Sequence, residues 1–202
     1  MILVIDTSTA ACTAALFDQG WTVIGARQEL IGRGHAERLM PMVADLLEGR
    51  RAQHILVGVG PGSFTGIRVG IAAAHGMAIG WGAPVSGMSS VALLAAAVAA
   101  GEPVAAAMAG GHGELFVQQF DTSLEPVSDL LSLPPAQAAE AVDANLVVGN
   151  GAEALVEARG WGEAKECWPS AAAALKLPAS LRSLAPVPVY ARAPDARVKS
   201  AA

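Results

Sequence analysis

Two stretches of glycines and small polar residues could take part in chemistry in this chain. Asp6-Thr7-Ser8-Thr9 follows an apolar run, and a glycine-rich stretch from Gly60 to Gly66 lies between a second apolar run and an alanine-rich segment. A glycine-rich turn between a strand and a helix can direct backbone N–H groups at an anion. The acid and hydroxyls of the first turn could face a phosphate or a metal ion, or could hydrogen-bond their own backbone. The residues predicted to face a nucleotide or anion are Asp6, Thr7, Ser8, Gly60, Gly62 and Ser63.

The glycine-rich stretch matches neither of two specific phosphate-binding motifs. A P-loop ends in Gly-Lys-Ser/Thr, and no lysine follows Gly66. The dinucleotide fingerprint needs a glycine at its sixth place, where counting from Gly60 gives Thr65. The spacing therefore indicates a tight turn with close backbone approach, and leaves open whether that turn also holds a phosphate.

The common catalytic and metal-binding motifs are missing from the sequence. It contains neither G-x-S-x-G nor H-E-x-x-H, and its 4 histidines are scattered. Cys12 and Cys167 are too far apart to suggest a disulfide framework or a metal pair. The residues by themselves predict no catalytic set and no metal site.

The composition limits the class of protein. The chain has 202 residues, of which 53% are hydrophobic and 15% charged, and its formal net charge is −5. Such a chain has material for one large domain or two small ones, and on its own is a poor electrostatic partner for nucleic acid. No basic stretch or cleavage site of a secretory signal is visible, so we expect a cytoplasmic protein. Residues 69–101 lack acidic and basic side chains, but Pro84 divides them into pieces too short to cross a membrane.

The hydrophobic pattern predicts strands and helices in two similar series. Strands at 2–5, 12–17 and 21–26 form a predicted antiparallel meander, followed by a helix at 34–47, a strand at 54–59 and a helix at 67–80. Pro41 lies within the first helix and predicts a kink or a later start. A helix is predicted at 91–100. Strands at 104–108 and 114–120 then repeat the opening of the chain, and a further helix is predicted at 170–177. We therefore predict an N-terminal lobe at 1–101 and a smaller C-terminal lobe at 102–202, whose tail could pack back on the first lobe.

The predicted helix at 67–80 has an unusual row of small residues. Gly66, Gly70, Ala74 and Ala78 are four positions apart, so they form one smooth face that permits close approach of a neighbouring backbone. A glycine within a helix costs up to about 1 kcal/mol relative to alanine. Packing of this face, within the chain or against a partner, would compensate for that cost.

Five segments together resemble the TsaB (YeaZ) family. They are Ile-Leu-Val-Ile-Asp-Thr-Ser-Thr at 2–9, His-Ala-Glu-Arg-Leu-Met-Pro at 35–41, Val-Gly-Val-Gly-Pro-Gly-Ser-Phe-Thr-Gly-Ile-Arg-Val-Gly-Ile-Ala at 57–72, Gly-Ala-Pro-Val-Ser-Gly-Met-Ser-Ser at 82–90, and Pro-Val-Tyr-Ala-Arg at 188–192. The resemblance is dense over the first half and sparser, but in the same order, to the end. The segment at 57–72 is its most specific part.

The resemblance implies a fold and a role. The fold would be that of actin, hexokinase and Hsp70 (the ASKHA fold), with two lobes that each hold a mixed sheet flanked by helices. The family's role is that of a non-catalytic scaffold and dimerisation subunit in the synthesis of threonylcarbamoyladenosine at tRNA position 37. It pairs with the catalytic subunit TsaD and with the ATPase TsaE, and reaches tRNA through the complex. The resemblance also implies a homodimer when TsaD is absent, no cofactor bound by the chain alone, and ATP or ADP as a candidate ligand at the complex interface.

The same resemblance assigns a partner interface to the helices at 34–47 and 67–80. We expect the contacts to come from the helical faces that carry the apolar and small residues. The residues predicted to meet the partner are His35, Leu39, Val43, Leu47, Ile67, Gly70, Ile71, Ala74 and Ala78.

Two departures bear on activity. Catalytic relatives hold a metal with His-x-x-x-His, and Ser90 and Leu94 occupy the matching places here, of which leucine cannot ligate a metal. Many members carry Asp-Ala-Arg where this chain has Ala-Gly-Gly-His at 109–112, so the role of that turn is in doubt. The alternatives are a stand-alone nucleotide-binding enzyme of the same fold, a glycoprotease, and a plain homodimeric binding module. The missing lysine and the missing metal pair count against the first two.

Overall fold

The computed structural model describes residues 1–98 and 101–191 and contains two five-stranded sheets. The first sheet has the order β3-β2-β1-β4-β5. β1, β2 and β3 are antiparallel neighbours, and β4 and β5 lie parallel to β1. The strands are β1 (Ile2–Asp6), β2 (Ala11–Phe17), β3 (Val23–Leu30), β4 (His54–Gly58) and β5 (Val85–Met88).

The second sheet repeats the topology of the first. Its order is β8-β7-β6-β9-β10, again with three antiparallel strands followed by two that lie parallel to the first of them. This doubled arrangement is the two-lobed fold of actin, hexokinase and Hsp70, which confirms the predicted fold class. The strands are β6 (Val104–Ala109), β7 (Leu115–Phe120), β8 (Leu131–Leu133), β9 (Leu146–Val148) and β10 (Glu163–Lys165).

Helices cover the outer faces of both sheets and fill the space between them. Alternation along each strand sends one set of side chains to each face of its sheet. Leu3 and Ile5 pack beneath the first two helices, whereas Ile2 and Val4 face the layer between the sheets. The helices are α1 (His35–Leu47) and α2 (Phe64–Trp81) on the first sheet, α3 (Ser90–Val98) between the sheets, α4 (Pro135–Ala141) and α5 (Ala152–Arg159) on the second sheet, and the short α6 (Ala179–Arg182).

Several predicted elements differ from those in the structure. Pro41 neither delays nor divides α1, because the helix is continuous and Pro41 lies on its exposed side. The short strands β8 and β10 were not predicted, and the helix expected at 170–177 is a 3₁₀ helix, Ala171–Lys176. The last two residues of the helix predicted at 91–100 lie outside the described residues.

The C-terminal segment 184–190, called the strap below, lies against the first lobe. Leu184 and Gly87 exchange two backbone hydrogen bonds of 2.7 and 3.0 Å, and the Val189 N–H donates to the Val59 carbonyl at 2.8 Å. Further along α2, a ring nitrogen of His75 lies 3.4 Å from the Pro186 carbonyl oxygen. The strap therefore runs beside α2 and holds the end of β4.

Among the described residues, no helix has the length and apolar character needed to span a membrane.

Candidate functional site at the cleft between the lobes

The carboxylate of Asp6 lies at the end of β1 and is fully buried. Its Oδ1 accepts hydrogen bonds from the Ser8 N–H at 2.9 Å and the Ser8 hydroxyl at 2.7 Å. Its Oδ2 accepts one from the Ser90 hydroxyl at 2.6 Å. Burial raises the pKa of Asp6, while the hydrogen bonds from Ser90 and Ser8 act to lower it. Both carboxylate oxygens therefore bond groups of the protein itself.

Ser90 connects Asp6 to the glycine loop, defined here as residues 57–66. Its Oγ accepts a hydrogen bond from the Gly60 N–H at 3.1 Å, and its own N–H donates to the Gly60 carbonyl at 3.0 Å. The chain Asp6–Ser90–Gly60 thus joins the end of β1, the start of α3 and the glycine loop. Such a buried network is fully satisfied without a ligand.

The β1–β2 turn and the glycine loop also interlock through their backbones. The Thr7 hydroxyl donates to the Gly66 carbonyl at 2.7 Å, and the Ser63 N–H donates to the Ser8 carbonyl at 2.7 Å. A Cβ at Gly66 would lie within 3.0 Å of the Thr7 carbonyl oxygen, and one at Gly58 would do the same at Asp6 Oδ2. Glycine is needed at both positions because another chain segment occupies the space of a side chain.

Replacing Asp6 by asparagine should change how stability depends on pH. Because folding raises the pKa of this carboxyl, its contribution is greatest below the usual value of 3.8 and falls as the pH rises above it. The unfolding free energy of the wild type, minus that of Asp6→Asn, should therefore decrease between about pH 3 and 7. Urea denaturation at a series of pH values measures this difference.

Asp18 provides the control with the opposite sign. Hydrogen bonds from Thr22 lower the pKa of this carboxyl. The corresponding difference for Asp18→Asn should increase as the pH rises toward and through 3.8. A difference for Asp6→Asn that also rises with pH would contradict the assignment of Asp6 as a buried carboxyl whose pKa is raised.

A cleft of about 810 Å³ lies between the β1–β2 turn, the starts of α1 and α2, and the β6–β7 turn of the second lobe. Of the six residues predicted to face an anion, Ser8, Gly62 and Ser63 line it, and Asp6, Thr7 and Gly60 do not. Ser63 caps α2 by accepting a hydrogen bond from the Gly66 N–H at 3.2 Å. The structure thus brings the two predicted turns together, but most of their polar groups are hydrogen-bonded to one another.

The cleft has limited means for chemistry. Among the described residues, no group of three or more His, Cys, Asp and Glu side chains could hold a metal ion. Arg33 and Glu37 provide charges of both signs, and His35, at the start of α1, has a buried Nε2 with no partner in the described part of the chain. From the second lobe, Ala109 contributes to the lining, and its N–H donates to Asn150 Oδ1 at 3.1 Å.

The two positions compared with a metal-binding histidine pair both lie in α3. Ser90 is bonded to Asp6, as described above, and Leu94 is fully buried in the layer between the sheets. The altered turn at 109–112 overlaps a short 3₁₀ turn, Gly111–Gly113, in which His112 has a φ of 61°.

The residues predicted to meet a partner all point into the protein. Leu39, Ala74 and the others in that set are buried, with at most 9% of their surface exposed. They pack α1 and α2 onto the first sheet. At Gly70 the Thr7 hydroxyl oxygen occupies the space of a side chain, because a Cβ there would lie 2.6 Å from it. These residues therefore do not form an exposed partner surface, and the predicted interface is corrected on that point. These residues form the internal packing of the helices: His35, Leu39, Val43, Leu47, Ile67, Gly70, Ile71, Ala74 and Ala78.

The opposite faces of the same helices are exposed. Ile79 is 86% exposed on α2, and Met40 is 44% exposed on α1. Around them lie small residues such as Ala44, Ala72 and Gly76. The helical period could have identified this face, since positions 40 and 44 lie opposite the apolar row that contains 39, 43 and 46.

The chain has two lobes of the actin-like fold, and the comparisons place it among threonylcarbamoyladenosine proteins. The family model described as TsaD, tRNA N6-adenosine threonylcarbamoyltransferase, matches residues 25–155. A solved structure from Pseudomonas aeruginosa, described as similar to peptidase YeaZ, is 31% identical with a TM-score of 0.81, covering 95% of this chain and 99% of that one. A second, YeaZ from the same organism, has a TM-score of 0.78 at 31% identity, covering 94% and 98%. The chain belongs to the TsaB (YeaZ) family.

Curated relatives carry the corresponding name over part of their length. The tRNA threonylcarbamoyladenosine biosynthesis protein TsaB of Escherichia coli is 43% identical over 99 residues, which are 46% of this chain and 42% of that protein. Its Haemophilus influenzae namesake is 35% identical over 126 residues, 58% and 52% of the two chains. The match thus spans about half the length of these curated relatives.

Proposed function

We propose that this chain is the non-catalytic partner subunit of the complex that makes threonylcarbamoyladenosine in tRNA. The observation that carries the proposal is the full-length match to YeaZ, together with the name shared by the curated relatives. A role in tRNA modification implies the cytoplasm as the compartment. The partner would be the catalytic subunit TsaD, and the ATPase TsaE would join the pair.

The internal bonding of the site supports a non-catalytic role. Asp6 and Ser90 have chemistry-bearing side chains, but both are buried and bonded to each other. Leu94 offers no ligand atom where the resemblance would require a metal-binding histidine. The buried groups of the cleft therefore fix the relative position of the strands and helices, which is what a scaffold needs.

The outer face of α1 and α2 is the proposed surface for TsaD. It carries the exposed apolar side chains of Met40 and Ile79, it lies on two adjacent helices, and α2 contains no acidic residue. A partner that covers Ile79, which is 86% exposed, would remove its apolar surface from water. The same face would support self-association when TsaD is absent, and ATP or ADP would bind, if at all, at the interface that it forms.

Charge indicates which lobe would face away from tRNA. Acidic residues outnumber basic ones in the second lobe, whereas the two signs are balanced in the first. A nucleic acid backbone would be repelled by the second lobe. The proposed complex would therefore present tRNA with surfaces of its other subunits or of the first lobe.

Binding of TsaD is the first test of this proposal. Size-exclusion chromatography with light scattering should show a heterodimer when the full chain is mixed with TsaD from the same organism. It should show a homodimer, or a monomer in equilibrium with one, when the chain is run alone. Elution of the two proteins as separate peaks at micromolar concentration would contradict the proposed partnership.

A further inference from the structure

Phe64, Arg68 and Tyr190 form one exposed cluster where the strap meets the start of α2. The rings of Phe64 and Tyr190 stack with centroids 5.7 Å apart and an interplanar angle of 27°. The Arg68 guanidinium lies 3.6 Å from the Phe64 centroid, and its Nε donates to the Tyr190 hydroxyl at 3.1 Å. Phe64 is nevertheless 57% exposed and Tyr190 45% exposed. Two large aromatic rings are thus held in a fixed geometry on the surface.

Within the described part of the chain, the positive charge of this Arg68 cluster is not paired with an acidic side chain. Neither α2 nor the strap contains an acidic residue, and Arg68 takes part in no ion pair among the described residues. Stacking on Phe64 leaves the edge of the guanidinium free, and its Nη nitrogens have no acceptor in the described part of the chain. That edge is the one that binds a carboxylate through two parallel hydrogen bonds.

We propose that the Arg68 cluster is a docking point for a partner protein segment that presents a carboxylate beside an apolar side chain. The carboxylate would bond the free edge of Arg68, and the apolar group would cover Phe64 and Tyr190. Tyrosine and arginine are enriched among the few residues that supply most of the binding energy of protein interfaces. The cluster continues the outer face of α2, so the identity of the partner rests on the proposed function. The chemistry of the docking point does not rest on it.

The pieces that build the cluster explain why it is rigid before binding. Phe64 starts α2 directly after the capping residue Ser63, and Arg68 lies one turn further on the same side. The strap brings Tyr190 to them through the Val189 hydrogen bond to Val59. Little side-chain entropy remains to be lost on binding, which favours affinity.

Charge variants of Arg68 in the full chain test the proposal with TsaD as the partner. Isothermal titration should show Arg68→Glu binding TsaD at least about 30-fold more weakly, and Arg68→Gln about 10-fold more weakly, because a desolvated charge pair is lost. Lys165→Glu is the control on an exposed basic residue of the second lobe, and should stay within about twofold of the wild type. Arg68→Glu within twofold of the wild type would overturn the proposal.

If TsaD does not bind the wild-type chain, the proposed function is contradicted but the docking point is still untouched. A second experiment then tests the docking point by itself. The probe is the peptide acetyl-Leu-Glu-Phe-Glu-Leu-amide, titrated into the ¹⁵N-labelled full chain and followed at the Arg68 Nε–H signal. The peptide with glutamine in place of glutamate is the control. A shift with the acidic peptide alone supports the proposal. Equal shifts with both peptides, or a larger shift with a single-stranded RNA oligonucleotide, would overturn it.

Discussion

Replacing Gly66 by alanine should destabilise the folded chain by about 3 kcal/mol. The new Cβ would lie within 3.0 Å of the Thr7 carbonyl oxygen, and also close to the Ser63 side chain. A backbone atom cannot move aside by changing a rotamer, so either α2 or the β1–β2 turn must shift. Such a shift would break the hydrogen bond from the Thr7 hydroxyl to the Gly66 carbonyl.

Gly76 in the same helix is the matched control. A Cβ there meets nothing within 4 Å. Because alanine is the better helix former, Gly76→Ala should stabilise the chain by up to about 1 kcal/mol. Urea denaturation followed by circular dichroism at 222 nm measures the free energy of unfolding of both variants. Equal effects of the two substitutions would show that the turn and the glycine loop do not interlock as described.

Replacing Ile79 by glutamate should weaken binding of TsaD at least about 100-fold while leaving the fold intact. The side chain is 86% exposed in the free chain, so a charge there costs little in the unbound protein. In a complex it would be buried against an apolar surface without a counter-charge. Titration calorimetry with TsaD measures the affinity, and thermal unfolding of the variant alone checks that it folds.

Val127→Glu is the control for this substitution. Val127 is also a large aliphatic residue, 63% exposed, but it lies in the second lobe and away from α1 and α2. It should leave the affinity for TsaD within about twofold of the wild type. Unchanged binding by Ile79→Glu would place the partner on another surface and would remove the proposed role of the α1 and α2 outer face.

Local patterns were sufficient to predict most of the fold. The apolar runs at 2–5 and 12–17 predicted strands, and both strands are buried throughout because helices cover both faces of the sheet. The repeat of strand, turn and strand after Gly101 predicted the second lobe. The short strands Leu131–Leu133 and Glu163–Lys165 could not be predicted, because three residues at a sheet edge carry no period and owe their conformation to pairing with neighbours.

The sequence predicted where the residues of the candidate site lie, but not which groups their side chains contact. The sequence placed Asp6 and the glycine loop at the ends of strands, and the structure brings them together. Nothing local indicates that Asp6 bonds Ser90, which is 84 residues away. The small-residue row of α2 likewise suits an internal or an external partner equally well. The position of Thr7 against Gly66 and Gly70, and the burial of Ala74 and Ala78 in the core, show that this row faces inward.

Threonylcarbamoyl transfer to tRNA by reconstituted proteins tests whether this chain is a required but non-catalytic subunit. TsaD, TsaE and the synthase TsaC would be combined with ATP, bicarbonate, threonine and tRNA, with and without this chain, and the modified adenosine would be quantified by mass spectrometry. We expect modified tRNA only when the chain is present, and none from the chain without TsaD. Equal modification without the chain, or transfer by the chain alone, would contradict that role.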